Sequence, residues 1–428
     1  MNIRIKGCQK VKGQLTPSGS KNSAVALIPA SILIKGVTKL ENVPDITDVD
    51  RLCAILQKLG SIIVWDKKRC VMEIDNSDLS FEGLTKEDVG NMRGVSLLWG
   101  PMLARFKKVD FRGLPGGCTL GARPLEPHFD AFKNFGISIN NNDGLVMNSA
   151  GAKASSFWLT EMSPTVTENV LCFASTLKGK SKIIGAASDP QVQDVCRFLT
   201  SAGVKIKGIS SNVLEIEGVD KLISVTHQIQ SDHYEIATFL AIAASTGGGI
   251  TIKNRLSDDL FEPYYSVFKR FGLELVKKGN DLVLPAGQKV VITECVDKPM
   301  IVRAQPWPAL LVDTLPIFIP LALVAKKGQV LFHNWMYEAG LFWTSELMKF
   351  GANVVMCDPH RIMVTSGNKL YGATIEAPYI IRAVVALTMT AMIAEGDSIV
   401  LNADALYRGH PHFAQNLSRM GAEIEEIK

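Results

Sequence analysis

A glycine-rich loop presents two groups that could do chemistry. In Leu114-Pro-Gly-Gly-Cys-Thr-Leu-Gly-Ala-Arg-Pro124, the glycines and prolines predict a shaped loop rather than a regular element. It carries the thiol of Cys118 and the guanidinium of Arg123. A nearby cation favours the thiolate, which is the nucleophilic form of a cysteine. The loop therefore indicates a reactive cysteine, and a structural turn with an incidental cysteine is the alternative.

A second candidate is the segment Ser18-Gly-Ser-Lys-Asn-Ser-Ala24, which runs into an apolar stretch. A glycine turn at the start of a helix suits an anion, because free backbone N–H groups and the helix dipole both favour negative charge. Lys21 adds a full positive charge. The segment predicts an anion-binding helix start, with a plain helix cap as the alternative.

The elements that must position these groups come from a unit repeated six times. In each copy a helix-like stretch ends in an apolar residue and a glycine, and strand-like residues follow. Glycine fits the left-handed backbone position that ends a helix. An apolar helix and a short strand precede this pattern. The six glycines are Gly60, Gly136, Gly203, Gly272, Gly351 and Gly421.

This repeat predicts an α/β protein made of helix-strand-helix-strand-strand units, three in each of two domains. A chain of 428 residues is also too long for one ordinary core. We expect one domain at residues 21–229, carrying the Cys118 loop, and a second at 1–20 plus 230–428. The active site is expected in the cleft between them, a common place for a substrate site.

Composition excludes several functional classes. The net charge of +4 gives no reason to expect nucleic acid or a membrane surface as partner. No apolar window is long enough for a membrane span. The eight cysteines form no Cys-x-x-Cys pair, so no metal site is expected. The first residues resemble a strand rather than a signal peptide, which predicts a cytoplasmic protein.

Together these motifs resemble those of the UDP-N-acetylglucosamine enolpyruvyl transferases. The resemblance runs from Ile3 to the final Met420-Gly-Ala-Glu423, and it is most specific at Asn42-Val-Pro44, Met92-Arg93 and the Cys118 loop. It implies a two-domain inside-out α/β barrel. The sister 5-enolpyruvylshikimate-3-phosphate synthases share the six-unit fold but lack the Pro-Gly-Gly-Cys loop.

The activity implied by the resemblance is transfer of an enolpyruvyl group from phosphoenolpyruvate to the 3-hydroxyl of UDP-N-acetylglucosamine, with release of phosphate. This is the first committed step of peptidoglycan synthesis, and it uses neither a metal nor an organic cofactor. Lys21, Arg123 and Arg408 would hold the phosphate, and Arg382 would be a further arginine of the cleft. Cys118 would act as general acid or form an adduct, and fosfomycin would alkylate it.

The acceptor side is implied in the same way. Asp313, in the segment Trp307-Pro308 to Asp313, resembles the aspartate that takes the proton of the acceptor hydroxyl. The other substrate-binding positions that the resemblance implies are Asn22, Arg93, Ser163 and Asp232. For Asp232 a helix N-cap before Tyr234 is the alternative.

Four positions depart from the family pattern. Gly340 stands where the family has a carboxylate-binding arginine, and Ile380 where it has an aspartate. Leu97 replaces a tryptophan. Glu161 replaces a lysine near the nucleotide diphosphate, where negative charge would oppose a diphosphate.

These departures leave three hypotheses open. The protein is a divergent peptidoglycan enzyme, or a paralogue that uses phosphoenolpyruvate with another acceptor, such as another nucleotide sugar or a nucleoside. The third hypothesis is a non-catalytic relative that binds ligand. The missing arginine at Gly340 favours the third, and the presence of Cys118 and Asp313 opposes it.

Overall fold

The computed structural model describes residues 1–80, 84–90, 93–111, 124–142, 144–253, 258–293 and 298–427. They form an α/β fold. The strands are β1 (Asn2–Ile5), β2 (Lys12–Leu15), β3 (Val37–Glu41), β4 (Ile62–Asp66), β5 (Val71–Asp75), β6 (Lys108–Phe111), β7 (Ser138–Asn140), β8 (Leu145–Asn148), β9 (Ser156–Trp158), β10 (Lys180–Ile184), β11 (Lys205–Lys207), β12 (Val213–Glu217), β13 (Thr226–Gln228), β14 (Gly249–Ile252), β15 (Val276–Lys278), β16 (Asp281–Leu284), β17 (Met300–Arg303), β18 (Gln329–His333), β19 (Asn353–Asp358), β20 (Arg361–Thr365), β21 (Thr374–Glu376), β22 (Ser398–Leu401) and β23 (Ile424–Ile427).

The α-helices are α1 (Lys21–Ala30), α2 (Thr47–Lys58), α3 (Lys86–Gly90), α4 (Trp99–Phe106), α5 (Glu126–Lys133), α6 (Pro164–Ala174), α7 (Pro190–Ser201), α8 (His233–Ser245), α9 (Asp258–Arg270), α10 (Phe318–Val324), α11 (Ile381–Ile393) and α12 (Phe413–Arg419). Five 3-10 helices join them: Ser31–Leu33, Arg93–Leu98, Val312–Ile317, Phe342–Phe350 and Ala403–Arg408.

Six small sheets confirm the six predicted units. In the described part of the chain they have the strand orders β13-β3-β5-β4, β6-β8-β7, β11-β12-β10-β9, β15-β16-β14-β2, β17-β18-β20-β19 and β21-β22-β1-β23. Five sheets contain an antiparallel core, such as β3, β5 and β4, that matches the three strands of one repeat. In the sixth, β1 from the start of the chain supplies the third strand, between β22 and β23. In the fifth repeat the second helix is the 3-10 helix Phe342–Phe350 rather than an α-helix.

Five of the sheets also carry a fourth strand that the repeat did not predict. β13, β9, β2, β17 and β21 each add to a sheet edge in parallel orientation. These strands have only three or four residues. Such short strands show too few alternations for a period-two pattern to be recognised.

The six repeated glycines all end their helical segments as predicted. Each has a positive φ, between 71° and 106°. A residue with a Cβ is strained in this region, whereas glycine enters it freely. The spacing of these glycines therefore indicated the repeat correctly.

Contacts divide the described residues into two compact units. Unit 1 comprises residues 1–18 and 231–427, and unit 2 comprises residues 19–111 and 124–230. Each has its own apolar core. The core of unit 1 contains α8, α10 and α11, and that of unit 2 contains α1, α4 and α6. Because these central helices are apolar on nearly all sides, they are buried within their unit, and the sheets keep one face to solvent.

A buried carboxylate ties the start of the chain to α8 within unit 1. The backbone N–H and the hydroxyl of Ser18 both donate to Oε2 of Glu235, at 2.7 and 2.6 Å. Burial raises the pKa of Glu235 to about 7, and nearby Asp232 adds to that rise. The bonds from Ser18 and the charge of Arg382 act in the opposite direction. Glu235 is therefore a carboxyl group that titrates near neutral pH.

This group should make stability depend on pH. Because the folded pKa of Glu235 lies above its ordinary 4.5, its contribution is fully present below that value and is lost as pH rises through about 7. In the wild-type protein the unfolding free energy should fall by about 3 kcal/mol between about pH 5 and 8. Glu235→Gln should remove this fall. Urea unfolding at a series of pH values measures it, with Glu262→Gln, an exposed change on α9, as control. An unchanged pH slope in Glu235→Gln contradicts the assignment.

Candidate active site

Three of the predicted site residues lie on contacting elements of unit 1. Asp313 is in the first turn of the 3-10 helix Val312–Ile317, Arg382 in the first turn of α11, and Arg408 at the end of the 3-10 helix Ala403–Arg408. α11 contacts both 3-10 helices. The structure therefore brings one carboxylate and two guanidinium groups to a single group of packed elements.

Arg382 is buried, with 8% of its surface exposed. Its Nη1 donates to Nε2 of His410 at 2.8 Å, and its guanidinium carbon lies 4.7 Å from the ring centroid of Tyr234. Among the residues that the structure describes, no carboxylate pairs with this guanidinium. Ile380 occupies the N-cap position of α11, so that position supplies no negative charge. The positive charge of Arg382 is thus held by a neutral ring and a π-face, and it is available to an anion.

Arg408 is held in a related way. Its guanidinium carbon lies 5.0 Å from the ring centroid of Tyr379, which is 44% exposed. Tyr379 precedes α11, so the start of this helix positions both the ring that contacts Arg408 and the side chain of Arg382. Two arginines therefore face aromatic rings at one end of α11.

Aromatic side chains also pack behind Asp313. Trp307, six residues before it, stacks on His233 with ring centroids 6.5 Å apart and planes 15° apart. His233 in turn packs edge-on against Tyr234 at 4.2 Å. Burial, opposed by the charge of Asp232 and aided by that of Arg382, lowers the pKa of His233 to about 4. The imidazole is therefore uncharged at neutral pH, which spares Arg382 a buried cationic neighbour.

In unit 2 the predicted anion-binding segment does begin a helix. Ser20 is the N-cap of α1, and its side chain accepts from the N–H of Ser23 at 3.3 Å. Lys21 is the first helical residue, and its Nζ lies 2.8 Å from Oδ2 of buried Asp48. Asn22 is half-buried beside it. Asp48 was not predicted as a partner, and it fixes the ammonium group at the start of α1.

Two further predicted residues of unit 2 form local polar contacts. Nη2 of Arg93 donates to the carbonyl of Pro124 at 3.0 Å. The hydroxyl of Ser163, at the N-cap of α6, lies 3.3 Å from the hydroxyl of Thr165, which lies 3.3 Å from Nε2 of His128. These contacts give both side chains a fixed position, and their roles towards substrate stay predictions.

Asp232 is a helix cap in the structure. It is buried, and its Oδ1 accepts from the N–H of Glu235 at 2.9 Å at the start of α8. The capping alternative is therefore confirmed, while its substrate-binding role stays a prediction. Cys118 and Arg123, the two groups of the glycine-rich loop, lie outside the described residues.

At Gly340, where the family arginine is missing, neighbouring side chains leave no space for a Cβ. A Cβ at this position would lie 2.2 Å from Nδ2 of Asn334 and 3.2 Å from Cβ of Tyr337. Asn334 is buried, and its Oδ1 accepts from the N–H of Tyr337 at 3.3 Å. An arginine at this position therefore does not fit without movement of Asn334.

Sequence reasoning missed the residues that hold the cations. Asp48, the partner of Lys21, stands in the family segment that begins at Asn42, but its role was not predicted. Tyr234, Tyr379 and His410, which contact the arginines, have no motif of their own. The one available signal was position, since Tyr379 and His410 lie close in sequence to Arg382 and Arg408.

No group of three or more His, Cys, Asp or Glu side chains among the described residues is placed to hold a metal ion. No helix among the same residues has both the length and the apolar character needed to cross a membrane.

Comparison with known proteins gives consistent matches over the whole chain. The sequence model of the EPSP synthase (3-phosphoshikimate 1-carboxyvinyltransferase) family matches residues 5–426. A UDP-N-acetylglucosamine 1-carboxyvinyltransferase of Bacteroides thetaiotaomicron is 35% identical, with 99% of both chains covered. One of Borrelia garinii is 34% identical, covering 99% of this chain and 98% of the relative.

Solved structures show the same fold. The enolpyruvyl transferase NikO from Streptomyces tendae has a TM-score of 0.88 at 19% identity, covering 99% of this chain and 98% of that one. EPSP synthase from Acinetobacter baumannii has a TM-score of 0.75 at 17% identity, covering all of both chains. The chain therefore belongs to the EPSP synthase (3-phosphoshikimate 1-carboxyvinyltransferase) family and is an enolpyruvyl transferase.

Proposed function

We propose that this enzyme transfers the enolpyruvyl group of phosphoenolpyruvate to the 3-hydroxyl of UDP-N-acetylglucosamine, releasing phosphate in the synthesis of peptidoglycan precursors. The observation that carries the proposal is the group formed by Asp313, Arg382 and Arg408 around α11. It combines a carboxylate suited to a general base with two cations suited to a phosphorylated, carboxylated substrate. The names of the full-length relatives support the acceptor.

The proposed mechanism is addition followed by elimination. The carboxylate of Asp313 takes the proton of the acceptor hydroxyl, whose oxygen bonds to C2 of phosphoenolpyruvate. The thiol of Cys118 gives a proton to C3, which yields a tetrahedral ketal. A proton then returns from C3 to the thiolate of Cys118, phosphate leaves C2 and the double bond is restored. Lys21, Arg123 and Arg408 stabilise the phosphate, and Arg382 adds a further positive charge.

The remaining predicted residues have roles on the acceptor side. We propose that Asn22 contacts the reacting hydroxyl and that Arg93, Ser163 and Asp232 belong to the substrate-binding set. The reaction needs no metal and no organic cofactor, because proton transfer and charge stabilisation suffice. We expect no nucleic-acid or membrane partner and a cytoplasmic location.

A second candidate function is transfer to a different acceptor, such as another nucleotide sugar, a nucleoside or a nucleotide. The departure at Gly340 favours it, because Asn334 lies where a Cβ would stand and leaves no space for the family's carboxylate-binding arginine. Glu161 adds negative charge where the family has a lysine. A non-catalytic relative would show no turnover with any acceptor.

Phosphate release from phosphoenolpyruvate should require UDP-N-acetylglucosamine and the thiol of Cys118. We expect Cys118→Ala to lose most of the activity and all alkylation by fosfomycin. Cys118→Asp should retain activity, because a carboxyl group can also deliver a proton. A coupled phosphate assay measures release, and mass spectrometry detects the fosfomycin adduct. Full activity in Cys118→Ala would falsify the role of the thiol.

The same assay separates the two functions. Wild-type protein that is folded but releases no phosphate with UDP-N-acetylglucosamine excludes it as the acceptor. Release with another nucleotide sugar, nucleoside or nucleotide then establishes the second function. No release with any of them excludes enolpyruvyl transfer to this whole class.

Tyr379→Leu should weaken the binding of phosphoenolpyruvate through Arg408. Loss of a cation–π contact of about 0.5–1 kcal/mol predicts a two- to five-fold rise in KM for phosphoenolpyruvate, with kcat little changed. Tyr371→Leu is the matched control, because its ring lies 5.5 Å from the ammonium group of Lys369. Steady-state kinetics check both. Equal effects of the two variants mean that Tyr379 does not serve Arg408.

Gly340→Arg alone should not restore the family's carboxylate contact. The new side chain collides with Asn334, so we expect the unfolding free energy to fall by about 1–3 kcal/mol with no gain in affinity for phosphoenolpyruvate. Gly340→Arg combined with Asn334→Ala removes the collision and should recover stability. Urea unfolding and KM for phosphoenolpyruvate test this. A stable, tighter-binding single variant shows that the loop opens freely.

A further inference from the structure

A cavity of about 460 Å³ lies in unit 1 between α9 and strand β17. Pro263, Ser266, Val267 and Arg270 form one wall. Their spacing of three and four residues places them on one face of α9. β17 and the segment 305–310 form the opposite wall. Asp313, Arg382 and Arg408 are not among the residues that line this cavity.

The lining combines charge with apolar surface. Arg303 is exposed, and within the described ranges no carboxylate pairs with it. Nη2 of Arg270 donates to the carbonyl of Ile301 at 2.6 Å, which holds a second guanidinium at the wall. Val267 and Leu310 are buried and supply apolar surface. A cation beside an apolar wall suits an anion that carries a hydrocarbon body.

The described residues of the neighbouring strands place no unpaired carboxylate in the row beside Arg303. Arg303 lies opposite His333 on β18, and His333 lies opposite Arg361 on β20. Asp358 is the carboxylate of this row, and Arg361 pairs with it at 2.5 Å. The pKa of His333 is lowered first by burial and then by Arg303 and Arg361, with His360 adding to the effect. The one acid of the row is therefore engaged by Arg361.

We propose that this cavity binds a small organic oxyanion, a phosphate monoester or a carboxylate, with its charged head at Arg303 and its apolar body against Val267 and Leu310. A guanidinium matches either head, because its N–H groups form parallel hydrogen bonds to two oxygens. The volume fits a single-ring ligand rather than a macromolecule. The hydroxyl of Ser266, which donates to the carbonyl of Pro263 at 2.8 Å, keeps its oxygen lone pairs at the rim.

Isothermal titration calorimetry of the full chain tests the site with phenyl phosphate, benzoate and the neutral benzyl alcohol. Arg303→Met should weaken binding of phenyl phosphate about 10- to 100-fold, the loss of one charged hydrogen-bonding group. Ser266→Trp, an exposed change at the rim, should block it. Lys269→Met is the matched control, because Lys269 is an exposed cation of α9 outside the lining. Arg408→Met removes a cation proposed for substrate and should leave this binding intact.

Three results would overturn the proposal. They are no heat of binding with either anion, equal affinity for benzyl alcohol, and binding that is lost in Arg408→Met but kept in Arg303→Met and Ser266→Trp. Stronger binding of phenyl phosphate than of benzoate identifies the phosphate monoester as the preferred class, and the reverse identifies the carboxylate. Circular dichroism confirms that each variant is folded.

Discussion

A buried guanidinium that has no carboxylate partner among the described residues is the constraint on which the candidate site depends. Taking a charge out of water costs several kcal/mol, and in most proteins an acidic side chain compensates. Here the compensation for Arg382 comes from the Nε2 lone pair of His410 and the ring of Tyr234. Neither neutralises the charge. The site therefore keeps an uncompensated positive charge, which an anionic substrate can neutralise.

The groups around Arg382 are consistent with this uncompensated charge. His233 is kept neutral by burial, so it does not add a second charge next to Arg382. Glu235 interacts electrostatically with Arg382, but its carboxylate accepts two hydrogen bonds from Ser18 and titrates near neutral pH. The protein thus surrounds a permanent cation with groups whose own charge is suppressed or engaged.

The sequence predicted the repeat well and the side-chain partners poorly. The six glycines each adopt the left-handed backbone that their spacing indicated, because this position depends on local geometry alone. Asp313, Arg382 and Arg408 were found through family motifs. Tyr379 and His410 were not found, because cation–π contacts and imidazole acceptors depend on how α11 packs against the 3-10 helices, which no local pattern records. For the same reason Asn334 could not be connected with Gly340, since only the fold brings its amide to the vacant Cβ position.

The position of strand β1 has a consequence for the order of assembly. β1 lies between β22 and β23, so the first residues to be synthesised pair with strands from the opposite end of the sequence. Unit 2 is built from one stretch of chain and can complete its sheets while synthesis continues. In unit 1, β1 cannot complete its pairing until both β22 and β23 have been synthesised, and such non-local pairing is slow. The arginines around α11 thus acquire their final surroundings last, and a nascent chain in this state exposes strand edges that chaperones recognise.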